Sequence, residues 1–501
     1  MRRPIQRKDL FVDELIIGAG LAGLSYGLTS VEPSYKVAIV ESHTKPGGYA
    51  TNFFRNRRKH IFDCSQHKIT GIGENGNLRN AFERMGVWEK LDFKTFNHLA
   101  TVVVKGKHYL VPSDTTRLEA YLLEQFPHEA KGIRQFIKDI LTHGKQNYMF
   151  ARMLLGEYEV NRDLLPESRQ LQRLTTKAYY RTLFGDEDLV ELLGAIAIYL
   201  GAIANEANAL YFLHYLYAAF ETNAGFVEGT SQSLSNLLAD EFKARGGVLS
   251  FKDPAQKIWV EDGKIVGVQT RKHNIRTNKL IATCSPELIV DMLPEETVPD
   301  RFRRKLDELQ IGWGHMCVYA VTDVDPVDLG FTESEYLIVH EDGDDLTEDQ
   351  LNSHERYERL TLSVTNYHLL DPVNGPIVQF IVLDHAADWF DLEEDDYKAE
   401  KAKVEQLILE RAYQYFPELK GHIVYTDCST PRTNFKYTNS PGGSAFGYKV
   451  LPKENMRFLY RPPVEGLKFV GGWSTGPGYE TAICLGFSHA LLEKRKLTTI
   501  S

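Results

Sequence analysis

Gly18-Ala19-Gly20-Leu21-Ala22-Gly23 is the stretch that decides the fold. It follows the apolar run Val12–Ile17 and opens Leu21–Ser30, which has the spacing of a helix. A second β-branched run, Lys36–Val40, ends at Glu41. Strand, glycine turn, helix and strand in that order make one βαβ unit of a doubly wound α/β sheet. In such a unit Gly18 permits the tight turn and Gly20 lets the backbone approach a pyrophosphate. Gly23 allows close helix–strand packing. Leu21 and Ala22 begin the helix, whose free N–H groups and dipole attract phosphate. Glu41, followed by Ser42, stands where a carboxylate accepts hydrogen bonds from ribose hydroxyls.

Composition narrows the classes open to such a chain. It has 501 residues, 43% hydrophobic and 25% charged, the balance of a globular protein with room for two or three domains. The formal net charge of −10 provides no basic field for nucleic acid. The five cysteines, Cys64, Cys284, Cys317, Cys428 and Cys484, are scattered and form no CxxC. Neither a disulfide framework nor a metal site is expected, and a reducing, cytoplasmic setting fits best. Arg2, Arg3, Arg7 and Lys8 are read as a short lead-in, not a signal peptide, because the apolar run after them is short, acidic in places and part of the fingerprint. Leu192–Phe220 is long and apolar, yet Glu206 lies in its middle. Two buried helices joined near Asn205 are expected in place of a membrane span.

The strand signals return late. Val248–Phe251, Ala255–Val260, Ile265–Thr270 and Lys279–Thr283 read as strands, with Glu261-Asp262-Gly263-Lys264 as a hairpin turn. Residues 81 to 220 read as mostly helical. Further strands are expected at Met316–Val321, Tyr336–Val339, Leu360–Val364 and Val378–Leu383, and a helix at Lys401–Tyr415 after the acidic stretch Asp388–Glu400. The expected division is a Rossmann-type domain from residues 1–80, 225–300 and 455–501. Residues 81–224 and 301–454 form a discontinuous α+β substrate domain with a helical cap.

Two glycine-rich blocks make the dinucleotide specific. Gly47-Gly48-Tyr49 follows the Glu41 strand and lets the chain run against an extended cofactor. Near the other end, Phe469-Val470-Gly471-Gly472-Trp473-Ser474 precedes Gly476-Pro477-Gly478-Tyr479-Glu480-Thr481 and a final helix. With Phe53–Lys59 and Phe62-Asp63, these blocks resemble the phytoene desaturase, carotenoid isomerase and retinol saturase superfamily of FAD enzymes. His67, four residues after Asp63, matches a histidine of retinol saturase-like members. Thr430-Pro431, Tyr437-Thr438 and Gly442-Gly443-Ser444 resemble a late block of the same family. The chain departs from the pattern at Cys64-Ser65, where the family often has a residue and then Gly, and at Trp473, where most members have Asp.

The resemblance implies an amine-oxidase-like architecture and non-covalent FAD held by Gly18, Gly20, Leu21, Ala22, Gly23, Glu41, Ser42, Gly47–Tyr49, Gly472, Trp473, Gly478, Tyr479 and Thr481. Ala255 stands where backbone reads the adenine. It also implies a lipophilic, polyene-like substrate and peripheral membrane contact. His67, Tyr479 and Glu480 are the candidate catalytic residues: a titratable imidazole, an aromatic beside the ring, and an acid where relatives have Gly. Desaturation, saturation and isomerisation all stay open, with transient NAD(P)H as one reductant, since no second complete GxGxxG exists. Two other readings share the architecture: an FAD amine oxidase, and a non-catalytic prenyl-protein binder of the Rab escort and GDP-dissociation-inhibitor kind. Oligomeric state is not legible.

Overall fold

A computed structural model describes residues 6–64, 66–385, 387–452 and 456–500. Arg2, Arg3 and Ser65 lie outside these residues. Five parallel strands form the central sheet, in the spatial order Val248–Ser250, Val37–Val40, Glu14–Ile17, Leu280–Ala282 and Leu467–Phe469. Numbered along the chain, this is 3-2-1-4-5, the doubly wound order. The order reverses at Glu14–Ile17, so a crevice opens outside the carboxyl end of that strand, where Gly18 begins its turn. All four residues of Glu14–Ile17 and of Val37–Val40 are buried, as strands covered on both faces must be.

The first and last helices, Leu21–Ser30 and Tyr479–Ile500, cross closely on one face of this sheet. Ser25 Oγ donates to Ile483 O at 2.6 Å. At Gly486 an added Cβ would lie 2.4 Å from Ala22 O. That approach holds the carboxyl-terminal glycine turn, Gly471–Gly478, against the fingerprint turn, Gly18–Gly23, from the opposite end of the chain.

A second sheet of seven strands carries Ile423–Ser429, Gly314–Thr322, Ile377–Asp384, Leu362–Asn366, Glu335–Ile338, His98–Val104 and Lys107–Pro112, in that order. It shares its core with the helices Thr115–Gln125, Ala130–Asp139, Thr176–Leu183, Glu187–Gly194 and Ala209–Glu221. Smaller sheets flank the two: Lys8–Phe11 with the hairpin strands around Asp262-Gly263, and Ile69–Thr70 with Ala224–Val227 and Phe93–Thr95.

One expectation, the start of the helix after the acidic stretch, needs correction, and two elements go beyond what the sequence predicts. The region 81–220 is mostly helical, as expected, but His98–Val104 and Lys107–Pro112 form a hairpin within it. The β-branched run Thr101–Val104 and a Lys105-Gly106 turn with both φ positive (48° and 75°) override the helical neighbourhood. The lead-in is partly structured, because Lys8–Phe11 pairs in parallel with His273–Arg276. The acidic stretch is itself helical, since the helix starts at Glu394, with Glu394, Asp395 and Asp396 in its first turn where the dipole favours acids. The segment 192–220 breaks between Leu200 and Ala209, with Asn208 capping the second helix. Glu206 in the break accepts from Trp313 Nε1 at 2.9 Å and Lys449 Nζ at 2.8 Å. No described helix is long and apolar enough to cross a membrane.

Gly486→Val places side-chain atoms against the Ala22 carbonyl, which as backbone cannot yield. The variant should lose roughly 1–3 kcal/mol of stability in urea unfolding and should separate the two glycine turns. A midpoint equal to wild type contradicts the close-approach assignment.

Candidate functional site

The crevice at the strand-order switch is the mouth of one cavity of about 830 Å³. Of the residues expected to hold a cofactor or act in catalysis, all but Gly23 line it. Gly23 lies beneath: a Cβ there would stand 2.1 Å from Gly18 O, so only glycine lets the helix start so near the strand end.

The nucleotide end is built from backbone. Leu21–Ser30 has Gly20 at its N-cap and no side-chain cap, so its first N–H groups face the cavity unsatisfied. Gly47 N donates to Ala19 O at 2.8 Å, which sets the Gly47-Gly48 turn against the fingerprint. Glu41 is half-buried. Its Oε2 accepts from Ala19 N and its Oε1 from His43 N, both at 2.7 Å, while Ser42 Oγ donates to Oε1 at 3.1 Å. These bonds fix the carboxylate across the crevice; a carboxylate has about four acceptor positions, so capacity for a ribose hydroxyl remains. Ala255 stands at the same end, at the start of Ala255–Glu261.

The middle of the cavity is closed by the carboxyl-terminal turn. The short helix Gly472–Thr475 precedes Gly476, Pro477 and Gly478, and Tyr479 opens the last helix. Trp473 packs edge-on against Tyr448, ring centroids 5.0 Å apart. Tyr211 OH donates to Pro477 O at 3.3 Å. Tyr49 OH donates to Ser444 O at 2.9 Å, which brings the late Gly-Gly-Ser block to the cavity wall.

Glu480 is only 7% exposed. Thr70 Oγ1 donates to its Oε2 at 2.6 Å, and Tyr148 OH donates to its Oε1. Burial raises its pKa above the ordinary carboxyl range, while Thr70, Tyr148 and the backbone N–H groups of Leu78 and Asn77 pull it back. It therefore ties the last helix to the start of Asn77–Met85, although its carboxyl borders the cavity.

The far end is an aromatic chamber. Tyr199, Tyr211, His214 and Tyr215 come from the helical cap, and His315, Tyr319 and Ile381 from the seven-stranded sheet. Burial lowers the His214 pKa to about 4. Burial, helped by the nearby His67, lowers that of His315 to about 4. Both imidazoles are neutral at physiological pH, and the chamber suits an apolar occupant.

His67 lies in the wall of this chamber, in the loop between His60–Asp63 and Ile69–Thr70. Asp63 secures the loop. Its carboxylate accepts from Gln66 N at 2.9 Å and from Ser231 N and Oγ at 2.7–2.8 Å. Sequence reasoning missed two groups beside His67: Glu335 and Thr365. One signal was present, an acid opening the otherwise apolar Glu335-Tyr336-Leu337-Ile338. The other group of acids, Glu191, Asp344 and Asp345, surrounds the buried Lys177 ammonium at 2.5–3.0 Å, so a cation already sits among them.

Residues 16–85 match the family described as NAD(P)-binding Rossmann-like domain. Among curated proteins, the chain is 23% identical to all-trans-retinol 13,14-reductase of Danio rerio, over 87% of this chain and 77% of that one. It is 24% identical to the chloroplastic prolycopene isomerase of Daucus carota, over 96% and 79%. Solved structures with the same fold include putrescine oxidase bound to putrescine (TM-score 0.63, 15% identity, 97% of this chain and 100% of that one). Cyclohexylamine oxidase from Brevibacterium oxydans is another (0.63, 16%, 97% and 99%). The resemblance read from the motifs thus extends along most of the chain, and the fold is shared with these two oxidases.

Two outcomes test this description. Glu480→Ala leaves Thr70 and Tyr148 without their acceptor and should cost roughly 1–3 kcal/mol, read by thermal unfolding; an unchanged midpoint contradicts the tie. The histidines give a pH dependence. Their pKa values are about 4 when folded and about 6.5 when unfolded, so the unfolded chain binds protons first as pH falls. Their contribution is complete above about 6.5 and is lost between there and about 4. His315→Gln should flatten the fall in urea midpoint across that window; an unaltered slope contradicts the burial assignment.

Proposed function

We propose that this protein is an FAD-dependent oxidoreductase acting on carbon–carbon bonds of a lipophilic, polyene-like molecule, by desaturation, saturation or isomerisation. One observation carries the reading: a single cavity runs from an open helix start and paired glycine turns to a chamber walled by Tyr199, Tyr215 and Tyr319. The retinol reductase and prolycopene isomerase relatives bear names of enzymes that act on long conjugated molecules.

The residues fit FAD. The N–H groups of Leu21 and Ala22 would meet the pyrophosphate, Glu41 the adenine ribose, and Ala255 the adenine. Gly472, Trp473, Gly478 and Thr481 border the stretch that the ribityl chain and flavin ring would occupy. When bound, the flavin supplies a hydride donor or acceptor at N5. The chain's own part is to hold the substrate in a dry chamber, keep His214 and His315 neutral and present His67. Exposed Phe435 and Tyr437 stand on the cavity rim with Arg55, a surface suited to a lipid interface through which such a substrate arrives. The five free cysteines favour a reducing compartment such as the cytoplasm.

The test uses the purified protein loaded with FAD, which should be yellow. After anaerobic reduction by dithionite or NAD(P)H, a conjugated polyene should reoxidise the flavin or be isomerised, while amines should leave oxidised flavin untouched. Bleaching by an amine alone would move the assignment to the amine oxidases. A colourless protein that cannot be reconstituted would remove the enzymatic reading and favour the prenyl-protein binder. Glu41→Ala should weaken FAD retention by about tenfold or more, the loss of one or two charge-assisted hydrogen bonds; full occupancy in dilute buffer contradicts the ribose role.

A further inference from the structure

Glu335 is buried behind His67 and Tyr199, which line the chamber, and its side chain is 1% exposed. It opens the strand Glu335–Ile338 and pairs across the sheet with Thr365. Tyr199 OH donates to its Oε2. Its Oε1 has no hydrogen-bond partner among the described residues, yet lies 3.6 Å from His67 Nδ1. Nδ1 itself stands 3.0 Å from Thr365 Oγ1. A buried carboxylate with an open oxygen is costly unless a proton donor faces it.

The other groups around His67 leave the imidazole as that donor. Lys68 Nζ is spent on the carbonyls of His98 and Leu99, at 2.8 and 2.6 Å. The Tyr199 ring packs edge-on against His67, centroids 5.8 Å apart, and its hydroxyl is already on Oε2. Tyr215 packs tilted against Tyr199, ring centroids 6.3 Å apart, and, like it, has its pKa pushed up by burial, so both stay neutral. His315 is neutral as well. Burial alone would raise the Glu335 pKa, but Lys68, His67 and Tyr199 hold it below the ordinary value, so the carboxylate is ionised.

We propose that Glu335 is the positioning residue of this site: it fixes the Nδ1–H tautomer of His67 and leaves Nε2 to exchange a proton with the substrate in the chamber. No described residue hydrogen-bonds Nε2, and His67 lines the cavity. The proposal rests on the polyene reading above. Saturating a double bond adds a hydride equivalent to one carbon and a proton to its neighbour. Nε2, bare in the Nδ1–H tautomer, first takes up a proton from solvent; the Nε2–H bond then breaks and the electron pair displaced from the double bond forms the new C–H bond with that proton. His67 is left neutral, to be reprotonated by solvent. The two electrons come from the reduced flavin, replenished by a reduced nicotinamide. In the desaturating direction the proton moves the other way. The arrangement is a carboxylate orienting one imidazole nitrogen so that the other is free for chemistry.

The experiment uses FAD-loaded protein labelled with ¹⁵N-histidine, with the His67 signal identified by its loss in His67→Gln. Wild type should show the Nδ1–H tautomer. Glu335→Gln, with FAD absorbance retained, should show a mixed or inverted tautomer, and polyene turnover should fall on the order of 100-fold in kcat with KM unchanged. Glu335→Asp should restore the tautomer in part. Thr365→Val should keep the wild-type tautomer, because the carboxylate remains. An unchanged tautomer in Glu335→Gln, or its loss in Thr365→Val, overturns the proposal. If Glu335→Gln does not fold, the Thr365→Val spectrum decides by itself. Failure of wild type to act on polyenes would refute the functional reading, while the tautomer data would still report whether Glu335 holds His67.

Discussion

The open start of the helix Leu21–Ser30 is the constraint on which the rest of this structure depends. No side chain caps it, and Gly23 brings it against the Gly18 carbonyl. A helix end with unsatisfied N–H groups in a crevice is an anion site, and its dipole adds to that. The surroundings serve the same end. Glu41 is braced by two backbone N–H groups, and Gly47 is bonded to Ala19. Gly486 lets the last helix press on Ala22, so the carboxyl-terminal glycine turn closes over the same spot.

The sheet order explains why distant segments meet there. In a 3-2-1-4-5 sheet the crevice lies between the first and fourth strands, and the fifth brings its following turn alongside. The chain's two glycine-rich ends are therefore neighbours in space. The seven-stranded sheet and the helical cap then extend the crevice into an aromatic chamber. Burial keeps His214 and His315 neutral, and His67 faces Glu335, whose other oxygen is held by Tyr199. The polar function of the chamber is thereby confined to one point in an apolar wall.

Much of this was legible in the sequence because it is local. The helix Leu21–Ser30 was read to the residue, since glycines fix its start and the periodicity its length. The hairpin at Asp262-Gly263 followed from turn chemistry, as both residues adopt positive φ. What depends on sheet pairing was harder. The hairpin 98–112 lay inside a helical neighbourhood, and its strands are stabilised by Glu335–Ile338 more than 200 residues away. Glu480 was named from sequence as a candidate catalytic acid; its partners, Thr70 and Tyr148, come from segments no local pattern connects. The setting of His67 was invisible for the same reason. A histidine near a motif can be named from sequence, but the carboxylate that orients it arrives through the register of a different sheet.

On the proposed function, the crevice at Gly18–Gly23 and the aromatic chamber are two ends of one flavoenzyme site. A crystal structure of the protein with FAD bound tests this most directly. It should place the pyrophosphate at the N–H groups of Leu21 and Ala22, the ribose on Glu41, and the flavin ring beside Tyr479 with its face toward the chamber that contains His67. A cofactor bound elsewhere, or a ring pointing away from that chamber, would contradict the account.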